Sequence, residues 1–104
     1  MDLKTFDELR LRLAAEREQI VQEKRPEYTE GKTDVLANFK QVAEELGLSP
    51  MEVWYVYFRK HISSIVSYVK NPNIQLSEPI FGRIKDVMNY MELLAALAKE
   101  QAEL

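Results

Sequence analysis

Apolar residues recur along this chain at spacings of three and four, and nowhere do they keep the two-residue rhythm of a half-buried strand. The pattern predicts an all-α protein. A first helix is expected from about Asp2 to Lys24, with Leu3, Phe6, Leu9, Leu13, Ile20 and Val21 on its inner side. It should stop before Arg25-Pro26, because a residue preceding proline is pushed away from helical dihedrals, and a polar loop holding Tyr28 and Gly31 should follow, from Pro26 to Lys32. Thr33 is expected to cap a second helix, with Asp34 near the positive end of its dipole and Val35, Leu36, Phe39, Val42, Ala43 and Leu46 as its apolar face. Gly47 is placed to end it, because glycine takes the left-handed conformation at little cost.

Ser49-Pro50-Met51-Glu52 is a capping box with proline at the first helical position. The helix it opens runs to about Lys70 and is apolar around most of its girth, so it is expected to be the central, most buried one. Asn71-Pro72-Asn73 ends it. Ser77 should cap a fourth helix with Glu78 and Pro79 in its first turn, the apolar residues from Ile80 to Leu97 in the core, and fraying after Lys99. Gly82, inside that helix, disfavours it by ~1 kcal/mol relative to alanine; a close crossing or room for a ligand would account for it. With no repeat or linker, residues 1–104 read as one four-helix bundle.

Composition narrows the function. A length of 104 residues, 46% hydrophobic and 30% charged, is enough for one modest core. A formal charge of −3 argues against DNA or RNA as partner, since proteins that track phosphates carry a net basic surface. No apolar run approaches the ~20 residues of a membrane span, and MDLKTFDELR lacks the apolar centre of a signal peptide. There is no cysteine, hence no disulfide and no thiolate metal site. A cytoplasmic location is expected, the host cytoplasm if a phage encodes the chain. A small helical protein rich in aromatic residues is also expected to complete its core by self-association, so a homo-oligomer is the anticipated state.

The charge pattern carries the candidate chemistry. Between Val53 and Ser77 there is no acid, although acids outnumber bases elsewhere. On a helix Tyr57, Lys60, His61, Ser64 and Tyr68 share one stripe of cations, hydroxyls and rings. Such a stripe suits a ligand with phosphates and a base: Lys60 and His61 on phosphate, the tyrosines stacking. Its ordinary alternative is a boundary face, with Lys60 reaching solvent and His61 half-buried and satisfied. Further on, Arg83 is a candidate for phosphate, Asp86 for accepting from a base or ribose, and Asn89 for a base edge. Arg83 and Asp86 could instead simply pair across one turn, for ~0.3 kcal/mol. Tyr28 and Lys32 in the first loop are candidates for covering a ligand. Trp54 is read as core or subunit contact. A single histidine excludes a histidine-rich metal site, and neither a glycine-rich phosphate loop nor a nucleophile elbow is present.

The order Lys24…Tyr28…Gly31…Asn38-Phe39, Lys60-His61, Ser77-Glu78…Arg83-Ile84…Asp86…Asn89-Tyr90 resembles small phage and prophage proteins related to the MazG-like all-α nucleotide pyrophosphohydrolases. The similarity covers roughly residues 24–99. It implies a helical bundle that oligomerises and holds a nucleotide between helices. Active members of that superfamily present Glu-x-x-Glu on one helix and Glu-x-x-Asp on another, which together bind magnesium on the phosphates. Here the central helix has Arg59, Lys60 and His61 where an acidic pair would stand, and the later helix has Asp86 and Asn89. Hard cations need oxygen ligands, and adjacent Glu44 and Glu45 point about 100° apart on a helix and do not chelate together.

The resulting expectation is a non-catalytic protein that sequesters a nucleotide-derived molecule, with no cofactor. In a phage setting this would be an anti-defence sponge for a cyclic nucleotide or related signal. The alternatives are a magnesium-dependent nucleoside triphosphate pyrophosphohydrolase using Glu78 and Asp86, and a helical protein–protein adaptor.

Overall fold

Four helices build the chain in the order α1 (Leu3–Thr29), α2 (Ala37–Leu46), α3 (Pro50–Lys70) and α4 (Ile80–Glu103). The computed structural model describes residues 1–29 and 33–103, with the side chains of 27–29 excepted. The expected roles of Tyr28, Gly31 and Lys32 therefore lie outside the described residues. Among these residues no helix is long and apolar enough to cross a membrane.

Each helix boundary has a local cause. At Ser49 the capping box is formed: its hydroxyl accepts from the Glu52 N–H at 3.1 Å and the Glu52 carboxylate accepts from the Ser49 N–H at 2.9 Å. Gly47 ends α2 in the left-handed conformation, φ 68°, with its N–H bonded to the Ala43 carbonyl. Three boundaries differ from expectation. Helix α1 runs through Pro26 to Thr29; a proline one turn from the end forfeits its own bond to the carbonyl four residues back and leaves those around it intact. Thr33 is not the cap of α2. The Asp34 carboxylate instead accepts from the Leu36 N–H at 2.9 Å and holds a turn, so the helix begins at Ala37. Helix α4 begins at Ile80, because the Ser77 hydroxyl is engaged by the Arg83 guanidinium at 3.1 Å rather than by backbone, and the helix continues to Glu103.

Helices α3 and α4 make the largest contact and run antiparallel, Trp54 meeting Tyr90 while His61 meets Asp86 and Arg83. Helix α2 packs on α3, and α1 packs on α2 and α4 but not on α3. The core is small and sits at one end: Leu36, Phe39 and Ala43 from α2 and its entry, Val53 and Trp54 from α3, and Leu97 from α4. Trp54 is stacked on Phe58 with centroids 4.6 Å apart, and its indole N–H donates to the Tyr90 carbonyl at 2.7 Å. Trp54 is thus core.

Helix α3 is not the buried centre that its composition suggests, since only Val53 and Trp54 are buried on it. The reason is length. With a rise of 1.5 Å per residue, the ten residues of α2 cover about 15 Å, half of the roughly 31 Å of α3. Past the end of α2, α3 has α4 as its one neighbour. The first half of α1 is likewise little covered, with Leu3, Phe6 and Leu11 exposed.

Candidate functional site

The gap between α1 and α3, which do not meet, is a cavity of about 490 Å³ at the middle of the bundle. That volume falls within the range of small-molecule sites. Every helix contributes a wall: Ile20, Val21, Lys24 and Arg25 from α1; Val35, Asn38 and Phe39 from α2 and its entry; Tyr57 and His61 from α3; and Arg83, Asp86, Asn89, Tyr90 and Leu93 among others from α4, with Glu78 just before it.

One side is aromatic. Phe39 lies between Tyr57 and Tyr90, with tilted rings at centroid distances of 6.2 and 6.3 Å. The Tyr90 ring also meets the His61 imidazole at 4.9 Å. Burial, and then the charge of Asp86, raises the Tyr90 phenol above its ordinary value, so Tyr90 remains a protonated hydroxyl.

The other side is polar and centred on Arg83. Its Nη1 lies 3.3 Å from His61 Nδ1, its Nη2 donates to Ser77 Oγ at 3.1 Å, and its Nε stands 3.4 Å from a Glu78 carboxylate oxygen. That Nε is buried and has no hydrogen-bond partner among the described residues, because the Glu78 oxygen sits off the N–H direction. The alternative in which Arg83 pairs with Asp86 is not formed; the guanidinium reaches Glu78 and Ser77, with His61 between it and Asp86. The His61 pKa is lowered, chiefly by burial, with the nearby Asp86 carboxylate opposing this and Arg83 adding to it. A neutral imidazole whose Nδ1 accepts from Arg83 carries its proton on Nε2, which is then a donor.

Asp86 makes no hydrogen bond to another side chain among the described residues. Its carboxylate is 23% exposed and stands 3.7 Å from His61 Nδ1, a contact that becomes an ion pair only when the imidazole is protonated. Asn89 is tied to α1 by accepting from Arg17 Nη1 at 3.5 Å, and Arg17 in turn pairs with Glu92. Beside them Lys85 pairs with Glu16, a bond that lowers the Glu16 pKa. These contacts clamp α1 onto α4 at the edge of the cavity and fix its width.

Five of the sequence candidates come together here: Tyr57, His61, Arg83, Asp86 and Asn89. Lys60 and Ser64 do not line the cavity, and Lys60 is exposed. They share a broad face with Tyr57 and His61, but a helical stripe spans more of the circumference than one cavity can touch. Tyr28 lies outside the described side chains. Reading the chemistry of single residues missed Lys24, Arg25, Asn38, Phe39 and Tyr90 as lining groups. The signal that pointed to most of them was the pattern of resemblance, in which Lys24, Asn38, Phe39 and Tyr90 all stand.

Glu78, Asp86 and Glu92 all reach the lining, yet among the described residues no group of three or more His, Asp or Glu side chains is close enough to hold a metal ion. Glu78 is turned to Arg83 and Glu92 to Arg17. Comparison of the chain with protein-family models, with curated protein sequences and with solved structures finds no match.

Proposed function

We propose that this chain is a non-catalytic binding protein for a nucleotide-derived small molecule, acting as a homo-oligomer of the MazG-like type with a dismantled metal site. In a phage setting it would act as a sponge that removes a cyclic nucleotide or related defence signal. The observation that carries the reading is the cavity between α1 and α3, which pairs an aromatic wall with a polar one where Lys24, Arg25 and Arg83 stand among Glu78, Asp86 and Glu92. A base slots against Tyr57, Phe39 and Tyr90, since every base has a face to stack. Arg83 and the Nε2–H of His61 supply charge-assisted and neutral donors for phosphate oxygens, with Lys24 and Arg25 exposed beside them. Asp86 accepts from a base amine or a ribose hydroxyl.

The same geometry favours capture over turnover. Hydrolysis of a phosphoanhydride in this superfamily runs through magnesium held by clustered carboxylates, and here Glu78 and Glu92 are each committed to an arginine. Sequestration needs no bond to break, so no general base and no metal are required. Its efficiency depends on affinity and on the amount of protein.

Incubation with a panel of linear and cyclic nucleotides, with magnesium or with EDTA, tests the reading. The expected result is ligand depleted from solution, recovered intact after heat denaturation, and held equally well in EDTA. Products that appear only with magnesium would establish the pyrophosphohydrolase instead. A panel that stays free in solution would leave a protein–protein adaptor.

A further inference from the structure

The apolar residues of α3 that lie outside the buried core are not scattered. Met51, Tyr55, Phe58, Ile62, Ile65 and Val69 follow one another at alternating spacings of four and three, the seam that one helix offers to another. Met51, Phe58, Ile62 and Ile65 are partly covered by the chain's own packing, but Tyr55 is 56% and Val69 70% exposed, and Val66 beside them 44%. On α4 the exposed Phe81, Met88 and Met91 likewise point away from the cavity-lining Asp86, Asn89 and Leu93. The outer side of the α3–α4 pair is thus an apolar face on the opposite side from the cavity.

What covers it is indicated by size. A folded monomer of 12.2 kDa is expected to expose about 6,100 Å², and this chain exposes 7683 Å². Its radius of gyration is 15.8 Å, against about 13 Å for a self-sufficient domain of this length. The surplus, roughly 1,600 Å², is shared with the bare first half of α1 and is large enough to contain the area that one copy gives up in an obligate homodimer.

The face also carries both halves of a fit. A shallow groove lined by Leu48, Met51, Glu52, Tyr55 and Val56 lies at the start of α3, and the protruding Val69 and Ile74 lie at its end. Ile62 stands midway, seven residues from Tyr55 and from Val69. A two-fold axis at Ile62 brings each copy's Val69 and Ile74 to the other's groove, the self-complementarity that an isologous contact demands. Charge agrees with this direction. The acid-free second half of α3, ending in Lys70, then faces the end that holds Glu52, whereas parallel helices would set Lys70 against Lys70 and Arg59 against Arg59. We infer that the outer face of α3 and α4 is a two-fold interface between copies of this chain, with α3 antiparallel to its counterpart about Ile62. This rests on the homo-oligomer part of the proposed function and is independent of the ligand.

The absence of cysteine permits a clean test by single-cysteine cross-linking. Under mild oxidation Ile62→Cys is expected to give a disulfide-linked dimer, Val69→Cys alone to stay uncross-linked, and Tyr55→Cys mixed with Val69→Cys to form the mixed pair. In light scattering the wild type is expected at twice the 12.2 kDa chain mass or an even multiple. Val66→Glu/Val69→Glu should halve that mass with helical circular dichroism retained, because both sites are exposed in the single chain. Leu11→Glu on the far end of α1 should leave it unchanged. A wild-type monomer would overturn self-association altogether. An oligomer that survives Val66→Glu/Val69→Glu, or a Val69→Cys that cross-links to itself, would overturn this interface while leaving self-association in place.

Discussion

The two halves of α3 make different structures from similar composition. In the first, α2 lies alongside, and Val53 and Trp54 are sealed against Phe39, Ala43 and Leu97. In the second, α2 has ended and α1 stands away; His61 and its neighbours on α4 border a cavity, and Val66 and Val69 lie bare. Both halves are aromatic or β-branched helix, so helix propensity does not separate them. The number of helices beside each half does. A second neighbour makes a core on the inward side, and its withdrawal leaves a cavity there, while the outward side is open along both halves, at Tyr55 and Val56 as at Val66 and Val69. The core half holds the fold, and the cavity half is free to hold charged side chains that a core would exclude.

The contrast is broken most forcefully at Trp54. Trp54→Ala is expected to lower stability by about 3–5 kcal/mol in urea unfolding, through lost packing against Phe58 and the lost indole hydrogen bond to the Tyr90 carbonyl. A loss below about 1 kcal/mol would mean that the first half of α3 is not the core. The reverse holds in the cavity. Arg83→Ala is expected to weaken nucleotide binding by about 1.5–3 kcal/mol, the range for hydrogen bonds to a charged group, and to change stability much less. Lys60→Ala, one residue from His61 but outside the cavity, should leave affinity unaltered in the same titration. Equal losses from both would restore the whole stripe of α3 as the binding surface.

That pair of substitutions marks where the sequence stopped being informative. The boundary at Ser49, the left-handed Gly47 and the four-helix count were legible, because each is a local matter of capping, backbone freedom and period. Also legible were the types of side chain that gather in the cavity, since Tyr57, His61, Arg83, Asp86 and Asn89 are unusual residues for helices this apolar. What periodicity could not tell was which part of the α3 stripe looks inward. That depends on α2 ending after ten residues and on α1 standing apart from α3, which are properties of the packed bundle. Asp34 took the turn before α2 from Thr33 for a similar reason: its side chain is also engaged by Lys40, at 2.6 Å, which reaches on to Glu100 in α4. That ion pair lowers the Asp34 pKa and raises that of Lys40.

Smaller effects sharpen the same division. Ser49→Ala removes one side of the capping box and should lower stability by about 1 kcal/mol without altering ligand affinity, checked by thermal unfolding and titration of one preparation. His61 should give the protein a mild acid sensitivity. Folding holds its pKa below the ordinary value near 6.5, so below that pH the unfolded chain takes up the proton more readily. The stabilisation is therefore complete above about pH 6.5 and is lost as pH falls through the lowered value. Between pH 7.5 and 5.5 the wild type is expected to lose more stability than His61→Gln. Identical pH profiles would mean that His61 sits in water-like surroundings.

Filling the cavity itself gives the most direct test. Ala96 lines it and packs against the core, so Ala96→Phe places a ring in the space assigned to the base. Calorimetric titration of wild type and Ala96→Phe with the nucleotide that binds best, after circular dichroism shows both to be folded, should give one site per chain in the wild type and no measurable heat in the variant. Undiminished binding to a folded Ala96→Phe would contradict the placement of the ligand between α1 and α3.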